Sequence, residues 1–197
     1  MAHSSRSFKD AMFKLFRPSK TRAAFRATIE RLYGAIVAQS RREAFYTDFG
    51  VPDTLEGRFE MVLLHTILVC HRLKDGVEAE RALSQGVFDT FASDMDRTLR
   101  EMGIGDLSVP KKMKKIGGAF YGRAAAYDTA LAAQDDGLLT AALARNIFET
   151  DADARPVSAL AAYVRAAVRE LAATPFESLA RGELSLPRPE GDARLTS

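Results

Sequence analysis

The chain of 197 residues contains one cysteine, no tryptophan and no long uninterrupted apolar run. A single cysteine, Cys70, cannot form a disulfide within the chain, which excludes a disulfide-stapled scaffold and indicates a reducing compartment. The longest apolar run, residues 61–70, is interrupted by His65 and Thr66 and is about half the length of a membrane span. We therefore expect that no segment of the chain crosses a bilayer.

Signatures of catalytic, cofactor and metal sites are also missing. The chain has no Gly-x-Ser-x-Gly and no P-loop, and Gly103-Ile104-Gly105 lacks the third glycine of a dinucleotide fingerprint and follows a helical pattern. His65 and His71 are spaced so that they do not place two metal ligands on one helical face. We expect both histidines to be buried hydrogen-bonding or edge residues, and we expect no enzymatic activity, cofactor or metal site.

Signals for β-structure are absent as well, whereas apolar residues recur at intervals of three and four along the chain. This pattern predicts an all-α fold, a single multi-helix globular domain. The predicted organisation is a basic amphipathic segment over 1–18, the helical domain over 19–181 and a disordered tail over 182–197. Helices are expected over about 20–39, 55–74, 77–83, 88–102, 109–133, 138–148 and 157–173, with a short one after Thr174.

Local signals predict several helix ends and one core-facing stripe. Asp53 is the expected N-cap of the helix that begins at Leu55, and Gly103 is the expected stop of a later helix. The run Ser108-Val109 and the proline after it predict the next helix start. The stripe expected to face the core from the first helix consists of Phe25, Ile29, Leu32, Tyr33 and Ile36.

Acidic residues are absent from 107–127, although the net charge of the whole chain is only +2. This segment carries Lys111, Lys112, Lys114, Lys115 and Arg123. A second basic segment, residues 1–31, has eight Lys or Arg against two acids, whereas residues 128–197 have eleven acids against seven Arg. Charge that is polarised in this way predicts a partner that binds in one orientation.

Glycines lie beside these lysines on the helix that begins at Val109. Lys111, Lys115, Gly118 and Gly122 fall along one helical face, and a glycine destabilises a helix by about 1 kcal/mol relative to alanine. Two interpretations remain open. Another helix of the same domain crosses closely at the two glycines, or a partner helix or peptide docks on the bare backbone while the lysines hold an acidic or phosphate-bearing surface.

The N-terminal segment combines apolar and basic residues on a short helix. The residues expected at a membrane surface are Phe8, Met12, Lys14, Leu15, Phe16 and Arg17. Because a helix of this length is marginal alone, the alternative is that it packs on its own domain or is disordered.

Charged residues between 94 and 106 also have two interpretations. Asp96 and Arg100 are spaced i,i+4, as are Arg97 and Glu101. The first interpretation is self-complementing surface pairs, each worth about 0.2–0.5 kcal/mol. The second is that these residues, with Asp106, form a polar contact surface beside the lysines.

Several motifs in the same order resemble the ubiquinol-cytochrome c chaperone family over residues 19–148. The motifs are Asp53-Thr-Leu-Glu-Gly-Arg-Phe-Glu60, Leu63-Leu64-His65, Phe88-Asp89, Asp94-Met-Asp-Arg-Thr-Leu-Arg-Glu-Met-Gly-Ile-Gly-Asp106, Val109-Pro-Lys-Lys-Met-Lys114, Phe120-Tyr-Gly-Arg123, Tyr127 and Arg145-Asn146. The resemblance implies an all-α, non-enzymatic chaperone that assists assembly of the cytochrome b-containing respiratory complex. For the mitochondrial relatives it implies action at the ribosomal tunnel exit, with a smaller partner protein, on newly made cytochrome b.

We therefore expect an assembly chaperone for the ubiquinol-cytochrome c reductase (cytochrome bc) complex. Its expected partners are nascent or newly inserted cytochrome b, the ribosome near its exit, a small partner assembly factor and an anionic membrane surface, with no specific DNA. The Arg- and Ala-rich composition is typical of a bacterial member, which predicts a cytoplasmic location, peripheral at the inner face of the inner membrane. The residues expected to bind partners are Lys111, Lys112, Lys114, Lys115, Gly118, Gly122, Arg123, Asp94, Asp96, Arg100, Glu101 and Asp106.

Two other classes of function remain open. The first is an RNA- or DNA-binding helical module that uses the two basic segments and whose affinity falls steeply with salt. The second is a helical protein that binds haem or a small molecule, with His65 or His71 as the ligand.

Overall fold

The computed structural model describes the backbone of residues 5–133, 137–148 and 154–189 and the side chains of residues 21–133, 137–148 and 156–189. Its α-helices are α1 (Ser5–Ser40), α2 (Ala44–Thr47), α3 (Leu55–Leu73), α4 (Glu78–Glu101), α5 (Val109–Ala132), α6 (Gly137–Leu143), α7 (Ala154–Ala173) and α8 (Phe176–Ala180). A π-helical turn, Ala144–Phe148, continues α6. The described ranges contain no strand, and the all-α prediction is confirmed.

Helix α3 is the centre of the domain. Residues 61–69 are buried on almost all sides, because α1, α4, α5 and α7 pack around them. Thr54 caps the helix, since its hydroxyl accepts a hydrogen bond from the Gly57 N–H at 3.1 Å. The prediction that Asp53 is the cap is wrong by one residue: the Asp53 carboxylate accepts from Arg58 at 2.6 Å instead.

Helix α1 is longer than predicted, since it begins at Ser5 rather than near residue 20. Four residues of its expected core stripe are buried. They are Ile29, Leu32, Tyr33 and Ile36. The fifth, Phe25, is 41% exposed, because residues 21–26 are exposed throughout and the packing of α1 on the domain starts one turn later.

Helices α1 and α4 lie side by side and run in the same direction. A Cβ placed on Gly86 would lie 2.3 Å from Ile29 Cδ1, so glycine permits this close approach. Farther along both helices, the Tyr33 hydroxyl donates to Asp94 Oδ2 at 2.8 Å. The sequence predicted two helices here, but α4 is continuous, because its packing against α1 outweighs the low helix propensity of Gly86.

The end of α4 and the start of α5 agree with the sequence signals. Gly103 has φ +77°, its N–H donates to Arg100 O at 2.9 Å, and the Ile104 N–H donates to Leu99 O at 3.1 Å. Helix α5 begins at Val109 and returns antiparallel to α4, so that aromatic rings of the two helices meet in the core.

The chain after α8 is packed over residues 183–189, where the sequence predicted disorder. Leu184 and Leu186 lie against the core, and Gln39 Nε2 donates to Pro187 O at 2.8 Å. The two leucines just before Pro187 explain the difference, since they bury surface against α1. Residues 190–197 lie outside the described residues.

Candidate partner-binding site

A groove with a volume of about 530 Å³ lies between α1, α3, α4 and α5. We call it the apolar groove. Its apolar lining residues are Val37, Leu55, Phe59, Val62, Met95, Leu99, Met102 and Ile116. Its polar lining residues are Arg41, Glu56, Arg58, Asp94, Thr98, Lys112 and Lys115.

An aromatic cluster stands behind the groove and joins three of its walls. The ring centroids of Phe59 and Phe91 are 6.4 Å apart, those of Phe91 and Phe120 are 5.8 Å apart, and those of Phe88 and Phe120 are 4.7 Å apart. Such contacts between α3, α4 and α5 stabilise the fold beyond the area that they bury. The groove begins beyond this cluster, where the apolar side chains of α4 are no longer fully buried.

Sequence reasoning predicted no groove here, and the lining includes apolar side chains of α4 that the rest of the domain covers only in part. The stripe of α4 continues from the aromatic cluster through Met95, Leu99 and Met102, but these side chains are only partly covered, and Met102 is 53% exposed. Sequence reasoning also missed Leu55, which is 54% exposed. An available signal was its position in the first turn of α3, one turn before the buried face of that helix begins.

The groove carries more positive than negative charge at its edge. Lys112, Lys115 and Arg41 make no ion pair with any described residue, whereas Arg58 pairs with Asp53 at 2.6 Å. Asp94 already accepts from Tyr33 and pairs with an arginine of its own helix. Burial, and next the hydrogen bond to Asp94, raise the pKa of Tyr33, so its phenol stays protonated and remains the donor.

The four lysines at the start of α5, which we call the lysine ridge, are all exposed. They are Lys111, Lys112, Lys114 and Lys115. Gly118 and Gly122, which we call the glycine strip, follow them and are also exposed. A Cβ at either glycine would meet no heavy atom of the described residues within 4 Å. None of the described helices crosses there, and for them the interpretation of close helix packing at the two glycines is wrong.

Arg123 is separated from the lysine ridge in space. Its Nε and one terminal nitrogen donate to the two carboxylate oxygens of Glu60 at 2.8 and 2.6 Å. The side chains are 22% and 10% exposed, so this bidentate pair joins α5 to α3 inside the domain. A structural role explains the position of Arg123 without a partner.

The charged residues at the end of α4 largely pair with one another. Arg100 binds Asp96 at 2.7 Å and also contacts Asp106, and Arg97 contacts Asp94 and lies 3.9 Å from Glu101. Exposed pairs of this kind contribute about 0.2–1 kcal/mol each. These pairs agree with the first interpretation, and a contact between this segment and a partner stays a prediction. Of its charged residues, only Asp94 lines the groove.

The predicted membrane-surface residues Phe8, Met12, Lys14, Leu15, Phe16 and Arg17 precede the part of the chain whose side chains the structure describes. Their contact with a membrane stays a prediction. In the described part of the chain, no helix is both long enough and apolar enough to span a bilayer.

His65 is a buried hydrogen-bonding residue, as predicted. Its Nδ1 lies 2.7 Å from Met61 O, and its Nε2 lies 2.8 Å from the hydroxyl of Tyr163, which accepts from Gln39 Nε2 at 3.0 Å. A neutral ring with the proton on Nδ1 satisfies every group in this chain. Burial lowers the pKa of His65 to about 4. Both ring nitrogens are therefore engaged, which argues against His65 as a haem ligand.

A second pocket, of about 290 Å³, lies between the first half of α4 and the ends of α3 and α5. There Asp128 lies 2.5 Å from His71 Nδ1 and 2.6 Å from Lys74 Nζ. Burial opposes ionisation of Asp128, but these two hydrogen bonds outweigh it and lower its pKa.

Burial raises the pKa of Cys70 to about 11, so its thiol is not a nucleophile near neutral pH. No group of three His, Cys, Asp or Glu among the described residues is placed to hold a metal ion.

The family model named ubiquinol-cytochrome C chaperone matches residues 47–186. The chain belongs to this family. The match confirms the resemblance that the motifs indicated, but its bounds differ from the predicted 19–148. The matched region starts at residue 47 and extends through α7 and α8. The last two helices, which the sequence motifs did not cover, are part of the family fold.

Named relatives of this chaperone-family chain come from vertebrates and a bacterium. The ubiquinol-cytochrome-c reductase complex assembly factor 1 of Xenopus laevis is 28% identical over 142 residues, which are 72% of this chain and 70% of the frog protein. The human protein of that name is 28% identical over 157 residues, 79% of this chain and 52% of its own length. The chain thus spans about half the length of the human protein. The crystal structure of the Cbp3 homolog from Brucella abortus has a TM-score of 0.81 and 43% identity, over 90% of this chain and 97% of that one.

Proposed function

We propose that this protein is an assembly chaperone for the ubiquinol-cytochrome c reductase complex and that it binds newly made cytochrome b. Membership of the chaperone family over residues 47–186 carries the proposal. The relatives named as assembly factors of that complex support it. The described residues offer an exposed charged face rather than an arrangement of activated nucleophile and base, which supports binding rather than chemistry.

In this proposal the client contacts the face of α5 that carries the lysine ridge and the glycine strip. A polypeptide can approach a helix backbone more closely at glycine than at any other residue. The neighbouring ammonium groups favour acidic segments and orient the client through charge complementarity. Such contacts hold a folding intermediate and release it without any covalent step.

The test is a deletion of the gene in its source organism, followed by complementation. We expect membranes of the deletion strain to lose the cytochrome b signal in reduced-minus-oxidised spectra and to lose ubiquinol–cytochrome c reductase activity. The wild-type gene should restore both. Unchanged cytochrome b and activity in the deletion strain would contradict the proposed function.

The binding face has its own test within the same strain. Replacing the four lysines of the ridge by Glu should abolish capture of cytochrome b in crosslinking experiments and leave helicity unchanged. The matched control reverses four exposed arginines elsewhere, with an identical change in net charge. These are Arg22, Arg26, Arg169 and Arg188. Equal capture by the two variants would remove the lysine ridge from the proposal.

The ribosome is a further proposed partner, and the four lysines, which pair with no described acid, favour it because phosphate is the anion that RNA presents. If all four contact phosphates, affinity for purified ribosomes should fall about 50- to 150-fold between 50 and 200 mM salt. Cosedimentation over this range measures the fall. A flat salt profile would contradict a ribosome contact through this ridge.

We also propose that the protein works at the inner face of the membrane, through the basic amphipathic segment over residues 1–18. Flotation with vesicles of anionic phospholipid should recover the chain, and replacement of Phe8 and Phe16 by Ser should reduce recovery. Equal recovery of both chains would contradict membrane contact through this segment.

A further inference from the structure

The apolar groove is open to solvent along apolar side chains rather than closed over them. Leu55 on α3 and Met102, the C-cap of α4, lie at its mouth and are 54% and 53% exposed. Apolar side chains at the mouth therefore remain in contact with solvent, which suits an extended occupant better than a small molecule enclosed within the groove.

The charge at the groove edge selects the kind of occupant. Lys112 and Lys115 line the groove from α5 and Arg41 lines it from α1, and none of them pairs with a described acid. Of the two acids in the lining, Asp94 is already engaged by Tyr33 and Arg97, so Glu56 is left against three cations that pair with no described acid. An occupant with acidic residues beside its apolar face satisfies these cations.

We propose that the apolar groove binds an amphipathic helix of a partner protein, with apolar residues at i, i+3, i+4 and i+7 facing the groove and acidic residues facing Lys112 and Lys115. Grooves between helices bind helical segments in this way, through a few apolar anchors. Met95 and Met102 have flexible side chains that adjust to the anchors. The inference rests on the proposed function only in that the occupant is a protein segment.

The chain's own basic segment is a poor occupant of the groove. Residues 1–20 carry five Lys or Arg against one acid, so they repel the cations of the edge. Helix α1 also runs continuously from Ser5 to Val37, where the groove begins. Lys20 and Val37 are seventeen positions apart on the helix, which places the segment about 25 Å or more away along α1.

The test measures binding of fluorescent peptides to the purified full-length protein by anisotropy. The probe is an 18-residue helical peptide with Leu at the four anchor positions and Glu on both flanks. Its matched partner has Lys in place of every Glu. We expect the Glu peptide to bind at least about tenfold more tightly than the Lys peptide in low salt, with the difference shrinking as salt rises.

Two sets of variants locate the binding on the protein. Leu55→Asp and Met102→Asp at the mouth should each weaken the Glu peptide about tenfold or more, as truncation of a central anchor does. Leu138→Asp is the control, because Leu138 is 52% exposed and lies on α6 outside the groove. Lys112→Glu with Lys115→Glu should weaken binding more than Lys111→Glu with Lys114→Glu, since only the first two line the groove.

Equal affinity for the Glu and Lys peptides would overturn the proposal, as would equal effects of the mouth variants and Leu138→Asp. Binding of anionic phospholipid vesicles through Leu55 and Met102, without peptide binding, would assign the groove to lipid instead. A dimer that Met102→Asp dissociates would assign it to a second copy of the chain. Because these assays use purified protein, they are independent of whether the deletion strain lacks cytochrome b.

Discussion

The glycine strip allows stability and partner binding to be separated. Gly118 and Gly122 lie inside α5, and a Cβ at either would meet no heavy atom of the described residues within 4 Å. Each replacement by Ala should therefore recover the difference in helix propensity, about 0.8–1 kcal/mol. Together the two changes should raise the melting temperature by about 3–8 °C.

Urea denaturation followed by circular dichroism measures this gain. Gly86→Ala is the control, because its Cβ would lie 2.3 Å from Ile29 Cδ1, and overpacking of this kind destabilises by about 1–3 kcal/mol. A loss of stability in Gly118→Ala or Gly122→Ala would refute the conclusion that the strip is open.

The same variants test whether a client binds at the glycine strip. If a client contacts the bare backbone, the methyl groups of the two alanines hold the client away from it. The doubly substituted chain should then restore less cytochrome b in the deletion strain, although it is more stable than the wild type. Full restoration by the stabilised double variant would refute docking at the strip. A structural glycine cannot give the expected combination, because its replacement would lower stability and function together.

Three further predictions concern the interior and one helix cap. Arg123→Met should destabilise the domain by about 2–4 kcal/mol, less than the loss of a fully buried ion pair because Arg123 is 22% exposed; a shift of under 0.5 kcal/mol in urea unfolding would contradict the structural role of its pair with Glu60. His65 has a pKa near 4 in the folded chain and about 6.5 in the unfolded chain, so the unfolded state binds an extra proton between these values and stability should fall by up to about 3 kcal/mol as the pH drops from 6.5 to 4. His65→Gln should lack this component, and an identical pH dependence of the two unfolding curves would show that His65 does not supply it. Thr54→Ala should lower stability by about 1 kcal/mol through loss of the cap, whereas Asp53→Ala should change it less; the reverse order of urea midpoints would contradict the assigned cap.

Helix ends that depend on local chemistry could be predicted from the sequence. The glycine stop at Gly103 and the start at Val109 are confirmed, because positive φ and a proline in the first turn are properties of single residues. Asp53 and Thr54 are both suitable caps by residue type. The choice between them depends on backbone angles, and Thr54 has the extended conformation that a cap requires.

The apolar groove could not be predicted, because periodicity shows which face of a helix is apolar but not what covers it. The apolar stripe of α4 begins in the aromatic cluster and continues through Met95, Leu99 and Met102. Nothing in the spacing of these residues marks the point beyond which other helices no longer bury them. Arg123 is the opposite case. It follows the lysines closely in sequence, but its partner Glu60 is 63 residues away, so only the fold shows that it points into the domain.

The walls of the groove are held by contacts that an occupant would leave intact. Tyr33 ties α1 to α4 through Asp94, and the rings of Phe59, Phe91 and Phe120 tie α3, α4 and α5 together behind it. Binding therefore requires little reorganisation of the protein, and affinity depends on the mouth side chains and on the unpaired lysines. Under the proposed function this division also allows release. When the apolar face of the client becomes buried in its final complex, the apolar contacts with the groove are lost, and with them the larger part of the binding free energy. The remaining charge contacts are weak at cellular salt.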